Sequence, residues 1–204
     1  MIGAAAKGAL RKGDVLVLVD VQNDFVDGSL AVPDAPAIIA PLNRYIALFS
    51  KRGLRIVATR DWHPASHMSF REQGGSWPPH CVANTPGAKF APGLRLPEGT
   101  WLVSKATAPF REAYSAFEGT DFALRLKRLG AHRLFVGGLA TDYCVLRTVL
   151  DSLAQGYETL VLTDAIRAVN VKPGDGEEAE EAMLAEGAHF VSYDDLFEEL
   201  GLHG

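Results

Sequence analysis

A chain of 204 residues that is 48% hydrophobic carries enough apolar material for one core, so a single domain is expected. Its formal net charge of -5 comes without any run of Lys or Arg, which argues against capture of nucleic acid or an anionic membrane and leaves small neutral ligands open. Two cysteines are too few for a secreted disulfide framework, the first residues hold no signal-peptide stretch, and no segment reaches membrane-spanning length, so a cytoplasmic location is expected.

Along the chain, apolar runs of strand length alternate with segments of helical period. Strands are expected at Val15–Val19, Leu54–Ala58, Trp101–Val103, Leu134–Val136, Leu160–Leu162 and Phe190–Val191, and helices over 35–52, 120–129 and 143–155. Runs such as Val-Leu-Val-Leu-Val lack polar alternation, which implies burial on both faces and a mainly parallel sheet covered by helices, an α/β fold. Residues 61–100 break the pattern, being rich in Pro and Gly, and so long a connection inside a compact domain is usually functional. Near the end, Pro173-Gly-Asp-Gly-Glu-Glu reads as a loop feeding acidic residues into a helix N-terminus, where the macrodipole favours them. No repeat, linker or phosphate-binding loop is found, and a homo-oligomer is left open.

The irregular stretch is where metal chemistry is written. Asp61-Trp-His63-Pro-Ala-Ser-His67 and Trp77-Pro-Pro-His80-Cys81 bring three of six histidines and an aspartate into one window. Asp61 and His63, two apart on an extended segment, point the same way and can grip one ion, with His80 returning from a Pro-stiffened loop. Three O, N, N ligands leave coordination positions open, as a reactive site requires. Such a site accepts zinc, iron or manganese, as Zn2+, Fe2+ or Mn2+, depending on supply and geometry. A His-rich surface loop is the bland alternative, and His67 and Glu72 are further residues that could join the metal shell.

In open α/β sheets ligands gather at the carboxyl ends of strands, so the residues just beyond each strand form a set. Here that set is Asp20, Asp61, Ser104-Lys105, and Gly137-Gly-Leu-Ala-Thr-Asp-Tyr leading to Cys144. Cys144 is expected at a helix start capped by Thr141 or Asp142, where unpaired N–H groups and the Lys105 ammonium would ease ionisation of the thiol. Taken alone, Cys144 could equally be a small buried hydrophobe, Lys105 a solvated strand-end charge, and Asp20 a loop cap. Cys81 is read as packing, and Asp164 as a cap outside the site.

Six separated segments agree in order with one family. Val-Asp20-Val-Gln-Asn-Asp-Phe, Asp61-Trp-His63, Trp77-Pro-Pro-His80-Cys81-Val, Lys105, Tyr114-Ser-Ala-Phe-Glu-Gly and Gly138-Leu-Ala-Thr-Asp-Tyr-Cys144-Val closely resemble the nicotinamidase/pyrazinamidase family of isochorismatase-like cysteine hydrolases, from about residue 14 to the last strand. The residues before 14 fall outside the resemblance and are expected to form an N-terminal extension. The resemblance implies a three-layer α/β/α sandwich with a six-stranded sheet, Cys144 as nucleophile, Asp20 as general base and acid, and Lys105 as its cationic partner. It also implies a divalent ion, usually zinc, on Asp61, His63 and His80, and a cis peptide at Leu139-Ala140. An oxyanion hole from the N–H groups of Ala140 and Cys144, and a substrate pocket walled by Phe25, Trp77 and Tyr114, complete it.

The activity so implied is hydrolysis of nicotinamide, and of pyrazinamide, through a cysteine thioester, returning the ring to NAD salvage. Two rivals keep the fold: an amidase acting on another small amide such as a carbamoyl group, or vinyl ether hydrolysis of isochorismate. A rival of another class is a metal-binding or thiol redox protein using Cys81 and Cys144.

Overall fold

The computed structural model describes residues 10–199, so most of the extension expected over residues 1–13 lies outside the described residues. The elements run β1 (Asp14–Val19), α1 (Asn23–Val26), α2 (Ile39–Lys51), β2 (Arg55–Asp61), β3 (Trp101–Lys105), α3 (Phe122–Leu129), β4 (Arg133–Leu139), α4 (Leu146–Ala154), β5 (Glu158–Arg167), α5 (Asp175–Ala185), β6 (His189–Val191) and α6 (Tyr193–Glu199). The six strands form one sheet in the order β3-β2-β1-β4-β5-β6, and every pairing is parallel.

The period of two along β1 sorts its residues between two cores. Leu16 and Leu18 join Ile56, Phe135, Leu160 and Leu162 on one face, against Leu42, Tyr45 and Phe49 of α2 and Leu196 of α6. Val15, Val17 and Val19 join Val57, Val103, Leu134, Val136 and Val161 on the other, against Phe122 and Leu126 of α3, Val149 of α4 and Met183 of α5. This is an α/β/α sandwich. Each such side chain stabilises the fold by roughly 1.5–3 kcal/mol through burial. Where β4 passes β1, Gly138 opposes Val19 at φ 126°, and a Cβ there would strike the Val19 backbone, so only glycine permits the close approach.

Several boundaries differ from the sequence reading. The expected helix over 35–52 opens with a 3-10 turn, Ala35–Ile38, containing Pro36. The helix expected from 143 begins instead as a π-helical turn, Thr141–Val145, before α4. β5 extends well past Leu162, because a register shift lets Ile166 and Arg167 pair with Gly138 and Leu139 after polar Thr163 and Asp164 have interrupted the apolar run. Asp164 accepts hydrogen bonds from the Tyr45 hydroxyl at 2.7 Å and from the Tyr193 N–H at the start of α6, so it serves as a tie between helices. The acidic loop does lead into a helix: Asp175, Glu177 and Glu178 occupy the first turn of α5. No helix among the described residues is long and apolar enough to cross a membrane.

From β1 the chain steps outward to β2 and β3, then returns to place β4 on the other side of β1. The carboxyl ends of β1 and β4 thus flank the point where strand order reverses, the place where open sheets of this kind bind ligands. The connection from β2 to β3 folds back over that rim, held by the isolated bridges His63–Val82, Phe70–Trp77 and Gln22–Phe90.

Candidate active site

Register explains why the charged residues meet. Asp61 and Lys105 are the last residues of β2 and β3 and stand opposite one another, while Asp20 follows β1 on the adjacent strand. Asp20 and Ala106 leave their strands in the left-handed region, at φ 48° and 50°, which turns the chain off the sheet at the rim. Lys105 is buried, and its ammonium pairs with Asp20 Oδ2 at 2.8 Å and donates to Asp61 Oδ1 at 2.5 Å, Cys144 Sγ at 3.2 Å and the Ala113 carbonyl at 3.3 Å. The acid, amine and thiol picked out by the sequence therefore share one contact point.

The surroundings separate the two carboxylates. Burial pushes Asp20 up from the ordinary range, partly offset by the Lys105 ammonium. Burial acts on Asp61 too, but Lys105 and His63 hold it well below the usual carboxylate range. Burial would lower Lys105, yet the charges of Asp20 and Asp61 keep it well above its ordinary value, so it stays an ammonium. Thr59 Oγ1 donates to Asp20 Oδ1 at 2.6 Å and accepts the Asp20 N–H at 3.2 Å, fixing the orientation of that carboxylate.

The thiol departs from expectation. Neither Thr141 nor Asp142 caps the turn carrying Cys144, whose N-cap position is Ala140 with no side-chain cap. Burial pushes the Cys144 thiol well above its ordinary value, and Asp20 and Asp61 add to the effect while Lys105 opposes it. Burial thus opposes ionisation of the thiol, and a base stands beside it. Cys81 is buried and also pushed up by burial; its N–H donates to Asp24 Oδ2 at 2.7 Å and its carbonyl accepts the His63 N–H. It packs and positions the loop.

Asp61, His63 and His80 each present a ligand atom within 4.8 Å of the others. Their protein contacts leave that set free for a metal. His63 Nδ1 lies 3.2 Å from the Ala106 carbonyl and His80 Nδ1 lies 2.8 Å from the Pro78 carbonyl, so each ring donates at Nδ1 and aims the Nε2 lone pair inward. His63 Nε2 is buried with no hydrogen-bond partner, 3.5 Å from Asp61 Oδ2. A buried, orphaned acceptor beside a carboxylate is what a cation would satisfy. His67 does not join this set: Nε2 donates to the Arg111 carbonyl at 3.1 Å and Nδ1 contacts Ser69 Oγ at 2.7 Å, while its ring lies against His63 with centroids 4.2 Å apart. It supports the ligand. Glu72 lies on the exposed 3-10 turn Arg71–Gln73 and is in no metal-competent group among the described residues.

Between thiol and imidazoles opens a narrow cavity. Phe25, Trp77 and Tyr114 line it, as do Asp61, His63, His80, Ala140 and Cys144. Phe25 packs on His80 with centroids 5.5 Å apart, and the Trp77 indole N–H donates to the Tyr114 hydroxyl at 3.3 Å. The peptide Leu139-Ala140 is cis. Sequence reasoning missed Leu30, Val32, Glu112, Tyr143 and Val169 as lining residues, and Thr59 and Gln22 as supports. Gln22 accepts the Asp61 N–H at 2.8 Å and donates to the Asp61 carbonyl at 2.8 Å. A signal existed for Thr59, a polar residue directly after the apolar Ile56–Ala58 run.

Residues 14–195 match the model of the isochorismatase domain. The chain belongs to this family. It is 38% identical to the nicotinamidase of Escherichia coli, over 91% of this chain and 98% of that protein. Among solved structures, the pyrazinamidase of Pyrococcus horikoshii in complex with zinc superposes with a TM-score of 0.85 at 49% identity, covering 89% of this chain and 99% of that one. PnC1 from L. infantum in complex with nicotinate superposes with a TM-score of 0.86 at 31% identity, covering 92% and 96%. This isochorismatase-family chain is therefore an amidohydrolase, related to the nicotinamidases.

Proposed function

We propose that this amidohydrolase is a nicotinamidase, converting nicotinamide to nicotinate and ammonia, and pyrazinamide likewise, within one catalytic domain. One observation carries the reading: Lys105 Nζ touches Asp20, Asp61 and Cys144, and the cavity that Asp61 and Cys144 line is lined also by His63 and His80, which form a metal-competent group with Asp61. The flat aromatic walls suit a planar ring. Asp61, His63 and His80 would hold a divalent ion, with zinc favoured, and when bound it supplies a Lewis-acidic anchor for a ring nitrogen.

Asp20, raised by burial, takes the proton from Cys144 Sγ as the sulfur attacks the amide carbon. The N–H groups of Ala140 and Cys144 stabilise the oxyanion, each such donor typically contributing about 3 kcal/mol to the transition state. Asp20 then delivers its proton to the leaving nitrogen, and ammonia departs. Water attacks the thioester carbonyl as Asp20 accepts one of its protons, the expelled thiolate takes that proton from Asp20, and nicotinic acid leaves to ionise to nicotinate in solvent. Throughout, Lys105 remains charged and balances whichever of Asp20 or Cys144 is anionic. Such a reaction serves NAD salvage, in keeping with a cytoplasmic location.

Ammonia release from nicotinamide is measured with metal-stripped and metal-restored protein and with Cys144→Ala. Turnover that returns with the metal and vanishes in the variant is expected. Release by Cys144→Ala at near the original rate would end the thioester mechanism.

A further inference from the structure

Asp142 sits two residues before Cys144, yet its carboxylate does nothing for its own turn. Oδ1 accepts the N–H of Val169 and Oδ2 the N–H of Asn170, both at 2.9 Å. Those amides belong to the segment that follows β5, and the Val169 side chain lines the cavity. The same segment has a second anchor. Asn170, at φ 53°, accepts the Gly176 N–H on its side-chain oxygen at 2.8 Å, and Gly176 packs so closely that a Cβ would meet the Ala168 methyl.

A segment beyond the end of a strand has lost its ladder partners, so its conformation depends on what takes its N–H groups. Here one ionised side chain takes two successive N–H groups, and charge-assisted bonds of this type are about twice as strong as neutral ones. Because that side chain rides on the turn carrying the nucleophile, the wall at Val169 is set in register with Cys144 and not only with the sheet.

We propose that Asp142 is a specificity-determining positioning residue: through the N–H groups of Val169 and Asn170 it fixes the Val169 wall and limits the ring substituents a heteroaromatic amide can carry. The inference rests on the nicotinamide reading for its substrate, but its geometry can be tested without turnover.

The experiment compares Asp142→Ala, Asp142→Asn, Val169→Ala and the Asp142→Ala/Val169→Ala pair on nicotinamide and a ring-methylated nicotinamide. For Asp142→Ala, KM for nicotinamide should rise on the order of tenfold with kcat changed by less than about threefold. Preference for the unsubstituted ring should fall in Asp142→Ala and in Val169→Ala alike, and the double variant should fall no further than the larger single effect. Asp142→Asn keeps one acceptor oxygen and should lie between, and it carries every comparison if Asp142→Ala does not fold. Equal losses on both amides, or additive losses in the double variant, would overturn the proposal. Amide hydrogen exchange at Val169 and Asn170, read without substrate, should accelerate in the Asp142 variants, and unchanged exchange would also overturn it. If the unsubstituted protein releases no ammonia, the nicotinamide reading falls and the exchange measurement alone decides the role of Asp142.

Discussion

Replacing Lys105 by Met keeps most of the side-chain volume and removes the one ammonium that Asp20 and Asp61 share. The side chains of Lys105, Asp20 and Asp61 are 0%, 0% and 7% exposed, so water cannot take the place of the lost charge. His63 still pairs with Asp61 at 3.5 Å, which leaves Asp20 the uncompensated group. Removing one partner of a buried ion pair costs about 3–5 kcal/mol, a large part of the roughly 5–15 kcal/mol that holds a domain folded. The penalty has a sign in pH. In the unsubstituted protein, the depressed Asp61 contributes stability that is present above the ordinary carboxylate pKa and is lost as pH falls through the depressed value. In Lys105→Met the largest cause of that depression is gone, and Asp20 loses the charge that offsets its burial, so the fold favours the protonated form of Asp20. That contribution is present below the ordinary value and is lost as pH rises through the raised one. Urea unfolding of metal-stripped protein should therefore show the gap between the two proteins narrowing from about pH 8 to about pH 5. Asp20→Asn in the same chain should recover part of the loss at neutral pH. A gap that does not change with pH, or one below about 1 kcal/mol, would refute Lys105 as the countercharge.

Thr59→Val removes the hydroxyl that stabilises ionised Asp20, so the acid limb of the kcat/KM profile should move to higher pH, with Thr59→Ser close to the original profile; coincident profiles would contradict it. His80→Ala should weaken metal binding at least about 10-fold. His67→Ala should retain the metal at similar stoichiometry by elemental analysis, because both its ring nitrogens are already engaged with protein. Trp77→Ala, which loses the edge contact with Tyr143 at 5.2 Å and the bond to Tyr114, should raise KM for nicotinamide roughly 3- to 10-fold with little change in kcat.

Much of the architecture is legible because burial on both faces of a parallel strand leaves an unbroken apolar run. Val15–Val19 and Leu134–Val136 announce themselves in this way. β5 is only half visible, since Thr163 and Asp164 sit where the strand bulges and backbone pairing continues without apolar side chains. The candidate site is legible residue by residue at the strand ends, where an acid or amine after a hydrophobic run has few structural reasons to be there. What could not be read is orientation. Cys144 stands near a helix, but nothing in the order of residues says that the turn is π-helical or that Asp142 faces Val169. The pull of burial against ionisation of the thiol is hidden for the same reason, because burial is a property of the assembled rim, where it opposes the attraction of Lys105.

That burial explains how two aspartates around one ammonium can take different roles. Both touch Lys105, both are buried, and the carboxylate alone cannot tell base from ligand. The difference comes from the second neighbour. Asp61 has His63, brought close because the two lie two residues apart at the end of β2, and this second partner adds to Lys105 in keeping it ionised and suited to hold a cation. Asp20 has only the neutral hydroxyl of Thr59, so desolvation prevails and its affinity for a proton rises toward what a base for a thiol requires. The strand register that sets Asp61 against Lys105 and Asp20 one strand inward thus divides proton transfer from cation binding before any substrate enters.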